Sequence, residues 1–195
     1  GTFRLPYKSA SNCLGADCTT GVWLMIQMIN AGVEGLYIFH RGEECGGLGS
    51  SWIAQNRREE ISKYQCAVAF DRFGVDSVVT HQGLRCCSDD FAYSLALLLN
   101  GNFHPDNTGL YTDTAEYTSL VPECTNISVG YGGHHTKHEV QNLSHLVNLL
   151  DKLLKIDTSN LVISRDPAYV DEDYGWGNVT QLPRTSEYDF TTRRG

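Results

Sequence analysis

Five side chains have the types and positions to do chemistry together: Asp17, Glu43, Glu44, Asp71 and His135. Asp17 follows Leu14-Gly-Ala and stands just before an expected helix. Glu43 and Glu44 follow the apolar run 34–40. Asp71 closes the apolar run 66–71, and His135 comes soon after the run 124–129. A carboxylate buried at a strand end needs a positive partner or a metal. Only Arg41 and Arg72 lie near in sequence, so a metal shared among several carboxylates is the more economical account. Carboxylate oxygens and an imidazole nitrogen suit a hard or borderline divalent ion. Such an ion lowers the pKa of a water to ~7 and polarises a carbonyl, which is the chemistry of hydrolysis. Of two adjacent glutamates, one can ligate while the other faces the water as general base.

These residues must be positioned by regular elements. A helix is expected from Thr19 or Thr20, as cap, to about Asn30. Strands are expected at 34–40, 66–71, 76–80 and 124–129, and a short helix around Ser51-Trp-Ile-Ala. Ser88 caps a helix over 89–99, with Leu95, Leu98 and Leu99 facing inward. Thr112 or Thr114 opens another short helix toward Val121-Pro122. Residues 139–155 place Val140, Leu143, Val147, Leu150 and Leu154 at helical spacing. Trp23 and Trp52 are expected in the core. Continuous apolar strands alternating with helices predict an α/β fold, a three-layer α/β/α sandwich with a mostly parallel mixed sheet. Ligands of such sheets collect beyond the carboxyl ends of the strands, where all five residues fall. The division expected is a catalytic domain over 1–156 and an extended tail over 157–195.

Composition narrows the classes. The chain has 195 residues, 41% of them hydrophobic and 10% aromatic, enough for one sizeable core. No apolar run approaches the ~18 residues of a membrane span. With 23 acids against 15 bases the net charge is −8, which disfavours nucleic acid as a partner. Seven cysteines without a CxxC pair give no zinc-finger framework. An odd thiol count without a secretory signal predicts a cytoplasmic protein.

Leu14-Gly-Ala-Asp17, Gly42-Glu-Glu44-Cys-Gly-Gly-Leu-Gly-Ser50, Phe70-Asp-Arg72 and Gly130-Tyr-Gly-Gly-His-His135-Thr-Lys-His-Glu139 together resemble the co-catalytic zinc exopeptidases over residues 12–155. That superfamily includes leucyl and tripeptide aminopeptidases, glutamate carboxypeptidase and acetylornithine deacetylase. The resemblance implies that Asp17 bridges two zinc ions, Glu44 and His135 complete the first zinc's shell, and Asp71 binds the second. Glu43 is then the general base, and a peptide or N-acyl amino acid the substrate. The Asp17–Cys18 bond is expected to be cis on the same ground. His81, Asp113 and Glu116 are the candidate substrate-binding residues.

The pattern departs from the family in two places. No His-x-Asp motif precedes Asp17, where the family has the source of the second zinc's histidine (His104-Pro-Asp106 lies downstream), and Cys18 follows the bridging aspartate where the family has Asp or Asn. One zinc is expected with this set alone, and two if a histidine comes from elsewhere. An upstream segment or a partner chain is therefore expected to complete the fold. The alternative is a catalytically idle, peptidase-like binding or structural protein, since fold does not guarantee activity. Simpler roles compete residue by residue: Asp17 as a helix cap, Asp71 as a partner of Arg72, and Glu43-Glu44 as a solvated loop.

Overall fold

Apolar runs too hydrophobic for a surface become the strands of a central sheet, and the amphipathic stretches between them become its covering helices. The computed structural model describes residues 12–99 and 101–169. In chain order these form α1 (Ala16–Asn30), α2 (Leu48–Asn56), α3 (Arg58–Ile61), β1 (Cys66–Arg72), β2 (Ser77–Val79), β3 (His81–Gln82), β4 (Leu84–Arg85), α4 (Asp89–Leu99), β5 (His104–Asp106), β6 (Glu123–Ser128), β7 (Tyr131–Gly132), β8 (Val140–Gln141) and α5 (Leu143–Leu153). Single 3-10 turns occupy Glu43–Cys45, Asp113–Tyr117 and Thr158–Asn160.

The main sheet has the order β1-β6-β2-β5. β1 runs parallel to β6 from Cys66↔Glu123, and β2 runs parallel to β5 from Ser77↔His104. β2 and β6 meet antiparallel at Val78↔Ile127. Strand side chains alternate between faces, so neighbours serve different cores. Val78 and Ile127 pack with Leu24, Phe91, Leu95, Leu99 and Leu149 of α1, α4 and α5. Val79 and Cys124 pack on the other face with Ala54 of α2, Ile61 of α3, Tyr117 and Val121. The result is the three-layer α/β arrangement with a mixed, mostly parallel sheet.

Several local expectations are corrected. Among the described residues, 34–40 join no strand ladder. Their side chains hold the segment instead, with Tyr37 on one core and Ile38 on the other. α1 begins at Ala16, before Thr19 and Thr20, and follows Gly15 at φ 77°. The last helix starts only at Leu143, because Val140–Gln141 pair with β7 as a short ladder. Asn142 caps it, accepting the His145 N–H at 3.0 Å. Its buried stripe is Leu146, Leu149 and Leu153, whereas Val140, Leu143, Val147 and Leu154 are exposed. Trp23 and Trp52 lie on the surface rather than in the core. Of the expected tail, residues 157–169 are described and 170–195 fall outside the described residues.

α1 crosses β1 at close range. A Cβ on Gly21 would lie 2.0 Å from the carbonyl oxygen of Phe70, so this contact excludes any side chain. Phe70 immediately precedes Asp71, and Gly21 lies one turn beyond Asp17. The glycine thus fixes how closely the two aspartates approach. Gly21→Ala is expected to destabilise the protein by about 1–3 kcal/mol, as overpacking in a closed contact does; urea denaturation followed by circular dichroism measures this.

Candidate metal centre

Three loops deliver the candidate residues. Asp17 stands in the first turn of α1 with non-helical backbone (φ −81°, ψ 112°), and the Asp17–Cys18 bond is cis. Glu43 and Glu44 occupy the 3-10 turn between the left-handed glycines Gly42 and Gly46. His135 sits in the loop between β7 and β8 at φ 59°, a conformation that non-glycine residues seldom adopt. His135 Nε2 lies 3.1 Å from Asp17 Oδ2 and 3.0 Å from Glu44 Oε1. One potential ligand atom from each of Asp17, Glu44 and His135 falls within 4.8 Å of the others. That is a three-ligand set of the kind a divalent ion takes.

Asp71 approaches the same set from the end of β1. One carboxylate oxygen accepts a long hydrogen bond (3.4 Å) from Thr112, and the other is buried without a hydrogen-bond partner. Burial, then the charges of Asp17 and Glu43, push its carboxyl well above the usual carboxylate range. Burial also raises Glu43, with Glu44, Asp113 and Asp17 adding to it and His135 opposing. The charge of Glu44 chiefly raises His135, although partial burial opposes it. The group has the chemistry of a cation site, since a divalent ion would meet the orphaned Asp71 oxygen and offset the crowding.

Arg72 does not neutralise Asp71. Its guanidinium turns to Asp106 Oδ2 at 3.1 Å and to the Thr108 hydroxyl at 2.9 Å, and lies 4.2 Å over the Phe73 ring. Burial works against ionisation of Asp106, but Thr108, Ser77 and Arg72 outweigh it and hold the carboxyl down at about 2. The stability this pair confers is complete above the unfolded value of about 4 and is lost as pH falls through about 2. Asp106→Asn is expected to flatten that acid limb by about 1 kcal/mol after solvent screening, seen by comparing urea denaturation of both proteins across the window.

The remaining candidates divide. Asp113 lies near Glu43 and pairs with His40 Nδ1 at 3.1 Å, while His40 Nε2 is 2.6 Å from the Tyr117 hydroxyl. Burial raises Asp113, but hydrogen bonds from His40 and Ser50 outweigh it and keep its carboxyl below the usual range. Glu116 accepts the Tyr111 hydroxyl at 3.1 Å. His81 belongs elsewhere: it is buried beside Thr80 and lines a cavity of about 460 Å³ with Arg85, Asp89, Tyr93 and His104, which none of the five central residues lines. His134, next to the candidate ligand, stacks against Phe73 with ring centroids 5.4 Å apart.

Glu139 is not among the residues the sequence marks for the site, yet it touches the site's framework. Its carboxylate accepts the Gly15 N–H at 2.6 Å and the Asp17 N–H at 3.1 Å. The only sequence signal was its place at the end of His135-Thr-Lys-His-Glu139.

Comparison with protein families gives no match, and neither does comparison with curated proteins. Among solved structures, the PhTET1-12s dodecamer is similar, with a TM-score of 0.56 and 21% identity over 73% of this chain and 50% of that one. At that identity the likeness is one of fold. The chain spans half the length of PhTET1-12s. No helix among the described residues is long and apolar enough to cross a membrane.

The raised Asp71 carboxyl holds a proton near neutrality, and a divalent ion favours its ionised form. Zinc added at neutral pH is expected to release about one proton per site. Titration calorimetry in buffers of different ionisation enthalpy reads that number directly.

Proposed function

We propose that the chain is a zinc-dependent exopeptidase or related amidohydrolase acting on a peptide or an N-acyl amino acid. The observation that carries this reading is the convergence of His135 on both Asp17 and Glu44, with one Asp71 oxygen buried beside them without a hydrogen-bond partner. Asp17, Glu44 and His135 would hold one ion, and the open oxygen of Asp71 would serve a second. When bound, zinc would polarise the scissile carbonyl and acidify a water. Glu43 adjoins the set without belonging to it. Its burial and acidic neighbours keep it avid for a proton, as a general base requires. Glu43 takes the proton from the attacking water and returns it to the leaving amine. Asp113, held by His40, lies near enough to Glu43 for its charge to add to the proton affinity of that base.

A second reading, an idle peptidase-like binding protein, draws support from the three-residue ligand set, to which no second histidine is added among the described residues. Elemental analysis and amide hydrolysis separate the two. The enzyme reading expects bound zinc and turnover of aminoacyl anilides or N-acyl amino acids, whereas absence of both supports the idle scaffold. Glu43→Gln is nearly isosteric and should keep zinc and fold while lowering turnover by ~10²–10⁴. Undiminished hydrolysis by this variant would show that the base lies elsewhere.

A further inference from the structure

We infer that Glu139 is a positioning residue that sets the separation of Asp17 and His135, and so the affinity of the site for its metal. The inference rests on the metal-site reading above and adds a residue outside the ligand set. Glu139 spans the two amides that flank Ala16, one oxygen to Gly15 and the other to Asp17 itself. Gly15 precedes the helix and supplies no side-chain cap of its own. A conventional cap side chain would accept the second or third amide of the helix, and the second is that of Asp17. Glu139 takes that place from a residue 122 positions away in sequence, and so grips the backbone of the ligand.

Glu139 is also tied to His135. The intervening turn is tight: the Thr136 hydroxyl donates to the Gly133 carbonyl at 2.7 Å, and the Glu139 N–H donates to the Thr136 carbonyl at 3.2 Å. A Cβ on Gly133 would come within 2.8 Å of the His138 carbonyl oxygen, so the loop folds back on itself. One short stiff turn therefore joins the imidazole to the carboxylate that holds Asp17. Ligand groups placed this way need no rearrangement when the ion arrives, which is how outer-shell contacts raise metal affinity.

The same ladder holds α1 at a second point. Gln141 accepts the Thr20 hydroxyl at 2.8 Å and donates to the Val129 carbonyl at 3.0 Å. Loss of Glu139 thus leaves β8 docked, and Gln141, two residues further on in that strand, provides a control whose side chain bonds Thr20 and Val129.

The test measures zinc affinity by competition with a chromophoric chelator, on full-length wild type, Glu139→Gln, Glu139→Asp and Gln141→Ala. Both Glu139 variants should bind zinc about ten- to a hundredfold more weakly, with turnover recovered as zinc is raised. Gln141→Ala is expected to lower the melting temperature only; its folded form should keep zinc affinity within about twofold of wild type. Wild-type affinity in a folded Glu139 variant overturns the inference, as does an equal loss in Gln141→Ala. Should Glu139→Gln not fold, Glu139→Asp decides alone. A wild type that binds no zinc overturns the metal reading and this inference together, whereas zinc-binding wild type with unchanged Glu139 variants overturns this inference alone.

Discussion

Mutual repulsion of carboxylates is the constraint around which the rest of the structure is arranged. Asp17, Glu43, Glu44 and Asp71 come from three separate parts of the chain; where they meet, the charges of Glu44 and Asp17 help to raise Glu43, and those of Asp17 and Glu43 help to raise Asp71. Like charges at such range are costly unless protons or a cation intervene. A fold that gathers them nonetheless must hold each by forces stronger than that repulsion. Packing supplies one, through Leu24 of α1 at the heart of the larger core. Backbone hydrogen bonding supplies another, through the Asn126 side chain on the Asp71 amide at 2.9 Å and Glu139 on the Asp17 amide at 3.1 Å.

This explains why the strongest local demands fall on residues that carry no chemistry. Gly21 has no side chain because α1 must lie against the Phe70 carbonyl. Gly47 is similarly confined, since a Cβ there would come within 1.7 Å of the Tyr111 hydroxyl. The loop from Gly46 is thereby pressed against the segment that carries Asp113 and Glu116. The geometry of the centre depends on these close approaches between backbone and neighbour as much as on the acids themselves.

Much of this was legible in the sequence, and for identifiable reasons. Strand β1 announced itself as a continuous apolar run, Cys66-Ala-Val-Ala-Phe, whereas β6 mixes Cys124 and Ile127 with Thr125, Asn126 and Ser128, all of them buried. Asp17, Glu44 and His135 stand out by residue type and by their place beside expected elements, although residues 34–40, which precede Glu44, form no described strand. What failed was pairing and phase. Residues 34–40 read as a strand from their apolar composition, but only Tyr37 and Ile38 reach the cores, Leu36 and Phe39 are exposed, and no strand among the described residues pairs with them. The stripe of α5 was misread because its leucines satisfy two overlapping helical registers, and Val140 was counted into a helix that the β7 pairing pre-empts. Glu139 was passed over because an acid that binds amides leaves no mark in composition or periodicity. Arg72 was the obvious neutraliser of Asp71 by proximity, yet adjacent positions on a strand point to different surroundings.

The direction Arg72 takes has a mechanical side. β1 and β5 are the two outer strands of the main sheet, and the Arg72–Asp106 pair joins one to the other. It acts as a tie-rod across the full width of the sheet at the rim where the acids gather. An open twisted sheet frays most easily at its outer strands. With this brace in place, neither border can loosen without loading the opposite one, so the two margins behave as a single frame.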